Sequence, residues 1–532
     1  IVDVAVFGHV MGAGTDWGAE EDQHHSDYET YVNQRTSSYD AEFNVYLSFD
    51  GELNLISAYN ATKELAYDTT FDVDGDLTCV WMDQNYNWSD PVFKNRCGES
   101  LNLAVNYLTD VLHTLYSEVG SVHNIDTGLG YLTIQEAIDA PETLDGHTIF
   151  VETGTYYENV VVNKTVALIG ENRETTVIDG NSVGNVIEVI IDNVTITGFT
   201  IRNSANYSHG VGLAYAKSCS ISGNNIANNG FGIELIDHSS NNNISGNNIT
   251  ANNNDGVWLH YYSNNNSIFR NKITYNYRGI MLDSSSNNSI SMNNITSNRY
   301  TGIHFFAYSK NNSIDRNNIK ANNWYGIQLD HFSSNNIISG NNVENNWYGI
   351  YLSRSSNDNR IFHNKFVENQ QQTSISESYG NLWNDRYPSG GNYWSDYAGK
   401  DTCSGSWQNV TGSDGIGDTL YVIDENSQDD YPLMGMFSEF NIAWGEEIYN
   451  LTTISNSTVS DLSCGLIYTF VEEPIKAIFF NVTGEDGTIG FCRICIPTAL
   501  MNDTYKVFVN GTEVSRILLP CSNSTHTYLY FT

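Results

Sequence analysis

The chain has 532 residues, enough for several domains at roughly 100–200 residues each. Its formal charge of −38 and pI near 4.4 leave no basic stripe to neutralise phosphates. That argues against nucleic acid and anionic lipid as partners, and makes calcium, which takes hard oxygen donors, the plausible ion. Charged residues are only 16% of the whole. Asn-x-Ser/Thr triplets stand at Asn60, Asn87, Asn163, Asn193, Asn206, Asn243, Asn248, Asn265, Asn287, Asn294, Asn311, Asn409, Asn450, Asn456, Asn481, Asn502, Asn510 and Asn523. This is the pattern of a secreted chain carrying N-linked glycans, with about half of the sites expected to be modified on exposure alone. The eight cysteines lack the second close pair that a zinc site needs, so disulfides are expected. The groupings are Cys79 with Cys97, and Cys464, Cys492, Cys495 and Cys521 among themselves; Cys219 and Cys403 stay unassigned. The chain starts at Ile1 without a basic leader and has no apolar run near 20 residues. Membrane contact is therefore expected only through a segment outside it.

Taken in chain order, Leu53–Tyr67 and Glu99–Val119 place apolar residues at helical spacing, so residues 1–120 are expected to form a mostly helical domain. The run Asn106-Tyr107-Leu108-Thr109-Asp110-Val111-Leu112-His113 resembles the metal-binding helix of zinc-dependent phospholipase C enzymes. The resemblance implies a zinc site gathered from His9, His24, His25, Asp27, Asp110 and His113, and a metal-dependent phosphodiesterase activity. The chain departs from that pattern by carrying Asn106 where a His is expected and His113 displaced from the second His. A degenerate helical domain is the preferred expectation.

Residues 121–437 are dominated by a repeat. Gly-apolar-x-apolar recurs at Gly212, Gly232, Gly256, Gly279, Gly302, Gly326 and Gly349, at spacings of 20 to 24 residues. Asn-x-Ile or its equivalent recurs at Asn224, Asn247, Asn271, Asn293, Asn317, Asn341 and Asn364, with a further Asn at 229, 252, 276, 298, 322, 346 and 369. A unit of this length with two or three short alternating strands cannot bury its own apolar face and must stack on its neighbours into parallel sheets. The apolar positions then form internal ladders, and stacked Asn side chains hydrogen-bond along the axis. Upstream, Ile134–Ile138, His147–Val151 and Gly154–Val160 resemble the opening turns of the pectin-lyase-like superfamily, in which a short helix caps the first coil. Downstream, Gly390–Tyr397, Gly412–Asp418 and Asp429–Met434 resemble the C-terminal end of NosD-like repeat proteins of archaeal surfaces. The resemblance covers residues 122–437 and implies a mainly β fold, a right-handed parallel β-helix, with an acidic C-terminal cap. Proteins of this group are often labelled copper-binding, but the repeats carry no Met or Cys ladder to hold copper.

Three sets of residues in this region could carry chemistry. The corners after each Gly-apolar-x-Leu segment present Asp237, His238, His260, Tyr261, Asp283, Asp330, His331 and Arg354. Asp283 and Asp330 hold one position two rungs apart, about 9–10 Å at the usual rung spacing and close to the separation of inverting glycosidase carboxylates. With His331 they are the catalytic candidates. Trp258, Trp324, Tyr325, Trp347 and Tyr348 recur at repeat boundaries as contact or sugar-stacking surfaces. Asp396, Asp401, Asp414, Asp418, Asp424, Asp429 and Asp430, among Gly415 and Gly417, are calcium candidates.

Residues 438–532 alternate apolar and polar positions, as in Ala477–Val482 and Tyr505–Gly511, and are expected to form a small β-sandwich. The sequence thus reads as an extracellular, N-glycosylated structural protein of an archaeal-type cell surface, assembling with itself or other surface proteins into a sheath, filament or envelope layer. A polysaccharide-binding or polysaccharide-cleaving β-helix is the alternative.

Overall fold

A computed structural model describes residues 24–37, 43–71, 79–468, 474–484, 487, 489–502 and 504–532. The chain divides into two compact units, residues 1–137 and 138–532.

The first unit is mostly helical. Helices Ala58–Phe71 and Pro91–Val119 pack together, and an aromatic core forms around Phe43, Met82, Phe93 and Cys97, joined by Tyr28, Tyr31 and Trp88. The first is displaced from the span Leu53–Tyr67 read from periodicity, starting and ending later, while the second extends the span Glu99–Val119 back to Pro91, a proline that suits a first helical turn. Arg96 is buried there and donates to Ser100 Oγ and the Asp68 carbonyl. Among the described residues no helix is long and apolar enough to cross a membrane.

In the second unit, about ten coils of chain stack into three parallel sheets. One runs from Thr148–Val151 to Arg360–Phe362, a second of eleven strands from Gly154–Tyr157 to Tyr393–Trp394, and a third of ten strands from Val160–Val162 to Gln371–Ser376. The alternation explains the arrangement, because every second side chain in each short strand turns inward. Ile268, Ile290 and Ile314 stack in the first sheet, Ile249, Ile273 and Ile295 in the second, and Ile280, Ile303 and Ile327 in the third, all with no exposed surface. Each fully buried Ile contributes roughly 1.5–3 kcal/mol relative to exposure.

Three ladders of buried Asn run parallel to the axis at the turns. The two expected ladders pass through Asn271 and Asn276; a third, which the sequence reading did not single out, passes through Asn242, Asn266, Asn288, Asn312, Asn336 and Asn359. Most rungs bond in the same way. Asn271 donates from its backbone N–H to Asn293 Oδ1 at 2.9 Å, and from Nδ2 to the Ile244 carbonyl at 2.8 Å and Asn293 Oδ1 at 3.0 Å. A side-chain amide has both the donors and the acceptor to satisfy the turn backbone of one coil and join it to the next.

The register shifts one expected landmark. Val211 pairs with Ile233 and Gly212 with Glu234, so Gly210, not Gly212, is the equivalent of Gly232. A Cβ at either Gly210 or Gly232 would strike the carbonyl of the equivalent glycine on the next coil, Gly232 O at 2.9 Å and Gly256 O at 2.3 Å. This close approach is what the repeated glycine provides.

The last coil is closed by aromatic packing. Trp394 stacks on Phe366 at 4.6 Å and on Tyr421 at 4.4 Å. Its Nε1 donates to the buried carboxylate of Asp429 at 3.0 Å. Burial lifts that carboxyl to about 7, against hydrogen bonds from Asn392, Trp394 and Tyr431 that favour the anion.

Residues beyond 436 form a five-stranded antiparallel sheet, in the order Met436–Trp444, Glu447–Ser455, Cys492–Pro497, His526–Phe531 and Arg516–Leu518. The hairpin Thr458–Ile467/Ile475–Thr483 lies against it. Ile442, Leu451, Ile494 and Leu529 fill the core, with Leu462, Ile478 and Phe480 packed from the hairpin.

The disulfide expectation is corrected. Cys464, Cys492, Cys495 and Cys521 are all unpaired thiols, as are Cys219 and Cys403; the Cys79 side chain lies outside the described residues. Cys492 and Cys495 sit three apart on one strand, so their side chains leave opposite faces of the sheet. Cys97 accepts a hydrogen bond from the Tyr28 hydroxyl at 3.1 Å.

Candidate functional site

The outward face of the third sheet gathers the unusual chemistry of the second unit. Between two inward apolar positions each strand turns one residue to the outer face, and the register places Glu188, Gly212, Glu234, Trp258, Met281, His304, Gln328 and Tyr351 in one column. Flanking columns add His209, Asp255 and Arg278 on one side, and His260, Asp283, Phe306 and Asp330 on the other.

Across four rungs the charged groups form a chain. His209 lies between two carboxylates, with Nε2 2.6 Å from Glu188 Oε2 and Nδ1 2.6 Å from Glu234 Oε2; Glu234 Oε1 then meets His260 Nε2 at 2.8 Å. Burial opposes charge on His209, but the two glutamates outweigh it and raise its pKa to about 9. Glu234 shows the converse: burial raises it, the two imidazoles prevail, and it falls to about 2. The ring of Trp258 stacks on His260 at 4.0 Å and on Phe231 at 5.0 Å.

Farther along, Arg278 holds the fully buried Asp255 with two bonds of 2.6 and 2.9 Å. Burial is the largest influence on Asp255 and raises it despite that arginine. His304 is buried, and burial together with the Arg278 and His331 charges lowers it to about 3, so its ring is neutral at ordinary pH. Two polar atoms of the central column, Trp258 Nε1 and His304 Nε2, are buried with no hydrogen-bond partner. A wall of aromatic rings flanks the column: Tyr277 on Tyr300 at 5.4 Å, Tyr300 beside Trp324 at 6.4 Å, and Trp324 beside Trp347 at 5.8 Å. Tyr325 and Tyr348 stack at 5.4 Å beside them.

The sequence candidates are partly assembled here. Trp258 stands in the column, and Trp324, Tyr325, Trp347 and Tyr348 border it. Asp283 and Asp330 share one flank, but Asp283 pairs with Phe306, and Phe305 pairs with Leu329, the residue before Asp330, so the Phe306 position stands on the rung between them. Asp330 is already held by Ser353 Oγ at 2.8 Å, His331 Nδ1 at 3.0 Å and Arg354 at 3.4 Å, and Asp283 accepts from Ser284 Oγ at 2.9 Å. Glu188, His209, Glu234, Asp255 and Arg278 were not singled out from sequence. Glu234, an acid at the x position of Gly232-Ile233-Glu234-Leu235, was the available signal.

The aspartates of the acidic run serve the loops instead of converging. Asp401 accepts from the amides of Asp414 and Gly415 at 2.9 and 2.7 Å, Asp418 from Thr402 and Cys403, Asp414 from Ile416, Asp424 from Asn426 and Asp396 from Tyr421. Asp429 holds Trp394 as above, and Asp430 accepts from Gln428 at 2.7 Å. In the first unit, His24 stacks on Tyr86 at 4.6 Å and stands 3.9 Å from Asp27, while buried Asp110 accepts the Asn54 amide at 2.9 Å. His113 sits on the long helix; His9 and the His25 side chain lie outside the described residues. Among the described residues no three His, Cys, Asp or Glu side chains converge to hold a metal. A cavity of about 670 Å³ near Arg316, His363, Glu439 and Arg493 has its charges already engaged, Arg316 by Asp315 at 2.6 Å and Glu439 at 3.7 Å.

Residues 143–323 and 307–399 match the NosD family, described as periplasmic copper-binding protein. A cell surface glycoprotein of Methanothermus fervidus is 36% identical over 108 residues, which is 20% of this chain and 17% of that protein. The chain thus spans well under two thirds of that relative's length. Among solved structures, the Dettilon tailspike protein covers 72% of this chain and 83% of its own, at 15% identity and TM-score 0.39. The ORF18 protein of Geobacillus virus E2 covers 71% and 79%, at 16% identity and TM-score 0.40. The mannuronan C-5 epimerase A-module of Azotobacter vinelandii covers 52% and 91%, at 16% identity and TM-score 0.35. The chain is an extracellular cell-surface protein with a parallel β-helix solenoid, and residues 143–399 of it are similar to the NosD family.

Proposed function

We propose that this protein is a glycosylated structural element of the cell surface that assembles with further copies of itself into a sheath, filament or envelope layer. The observation that carries the reading is the continuity of the three Asn ladders. They join coil to coil through buried amide bonds of 2.8–3.3 Å at the turns, so the solenoid resists bending and coil separation as a shaft must. The surface glycoprotein relative supports the same setting. Analytical ultracentrifugation of the purified glycoprotein across a wide concentration range tests it: growth into large species is expected, and a monomer at every concentration would overturn assembly.

A second reading rests on the third sheet. Buried Trp258 Nε1 and His304 Nε2 lack partners, and an unpaired buried polar atom costs about 1–3 kcal/mol unless something meets it. Hydroxyl groups of a neutral glycan would supply those bonds while its rings stack on Tyr300, Trp324 and Trp347. Screening neutral and acidic glycans against the protein and its His304→Ala variant discriminates: loss of a bound glycan in the variant supports this reading, and no bound glycan removes it.

A further inference from the structure

We propose that N-linked glycans form a single row along the solenoid corner that leads into the first sheet, at Asn193, Asn265, Asn287 and Asn311, while the triplets at Asn243 and Asn248 within the strands stay unmodified. The proposal deepens the glycoprotein reading and rests on it.

The row follows from register. Thr195, Ser220, Asn243, Ser267, Ser289 and Ser313 are successive partners in the first sheet. The residue two before each therefore occupies the same corner, and Asn265, Asn287 and Asn311 lie on three consecutive rungs, about 4.8 Å apart. All four row asparagines are exposed and take left-handed backbone angles, φ of 61°, 58°, 58° and 55° in chain order. Asn tolerates that conformation better than most residues.

Their triplets are also divided between inside and outside. Asn266, Asn288 and Asn312, the middle residues, are 1% exposed and form the third Asn ladder, and Val194 is fully buried. The first and third residues of each triplet consequently point away from the core. An acceptor asparagine and its assisting hydroxyl are thus offered together on one outer edge, at positions where an attached chain displaces nothing.

The strand triplets differ. Oδ1 of Asn243 and of Asn248 is buried without a partner. Their amide nitrogens are turned toward neighbours, Asn243 Nδ2 toward Ser245 Oγ at 3.5 Å and Asn248 Nδ2 toward Asn225 Oδ1 at 3.4 Å. A sugar on either nitrogen would have to enter the packed row between rungs.

The reaction requires a lipid-phosphate-linked oligosaccharide as donor. Asn Nδ2 bonds to the anomeric carbon, the bond from that carbon to the phosphate oxygen breaks, and the lipid phosphate leaves with the bonding pair as the amide loses one proton to solvent. No oxidant or reductant takes part.

Glycopeptide mass spectrometry of the native surface protein tests the row. Sugar on the Asn193, Asn265, Asn287 and Asn311 peptides, with the Asn243 and Asn248 sites bare, is the expected result. A bare row in material glycosylated at sites such as Asn409 or Asn523 would overturn the row and leave the glycoprotein reading intact, and so would sugar on Asn243 or Asn248. Protein without any glycan would overturn both. Ser289→Ala, at an exposed position, removes one acceptor triplet without touching Asn287. It should delete one glycan mass from that peptide and leave thermal unfolding unchanged; a retained mass would count against the assignment.

Discussion

The ring of His209 occupies the space that a side chain at Gly212 would need: a Cβ on Gly212 would fall 2.0 Å from His209 Nε2. Gly212 stands in the outward column between Glu188 and Glu234. The missing side chain there is what lets His209 bridge both carboxylates at 2.6 Å. Gly212→Ala should expel the ring. The expected cost is about 1–3 kcal/mol, typical of overpacking, and the imidazole should titrate nearer its ordinary value. Chemical denaturation together with NMR titration of the His209 ring measures both; an unchanged His209 titration would refute the bridge.

The same chain of charges sets a pH window. His209 rises from 6.5 to about 9 on folding, so its contribution is complete below pH 6.5 and is lost as pH climbs through 9. Glu234 falls from 4.5 to about 2, so its contribution is complete above pH 4.5 and is lost as pH drops through 2. The stability difference between wild type and the His209→Gln/Glu234→Gln double variant should be flat from pH 4.5 to 6.5 and shrink on either side. A difference that ignores pH would contradict this account.

The Asn ladders give a sharper contrast. Asn293 accepts from the Asn271 amide at 2.9 Å and from Asn271 Nδ2 at 3.0 Å, and donates to the Ile268 carbonyl at 2.8 Å. Asn293→Ala leaves several buried groups unpaired, for an expected loss of about 3–5 kcal/mol. Exposed Ser289→Ala, four residues earlier, should change stability by less than about 0.5 kcal/mol. Equal effects in urea denaturation would show that the ladder is not what joins the coils.

At the closed end, Trp394 is almost fully buried, and Trp394→Ala should cost about 3–5 kcal/mol. Hydrogen exchange should quicken first in Lys365–Val367 and Tyr393–Trp394, the paired strands beneath it. Exchange rising uniformly along the solenoid would argue against an end plug.

The solenoid was legible because its period repeats: Ile280, Ile303 and Ile327 face inward at matching positions, and no other reading buries them together. The register slip at Gly210 and Gly212 arose because two glycines one strand position pair apart both fit the pattern, and only pairing with Glu234 chooses between them. The third Asn ladder was hidden because Asn266 and Asn288 sit inside Asn-x-Ser triplets and read as glycosylation signals. Asp283 and Asp330 were read as neighbours on one flank, and that reading passed over Phe306, which holds the equivalent place after Gly302-Ile303-His304-Phe305 in the repeat between them. Nor could it reveal that His209, from an irregular coil, reaches across Gly212. The disulfides failed for a related reason: a count of cysteines carries no information about which face of a strand each one leaves.

The most direct test of the structural role is cryo-electron tomography of the intact cell envelope with this chain labelled. The account predicts a regular array or filament in which the solenoid is the repeating unit. Scattered single copies with no lattice or fibre would contradict it.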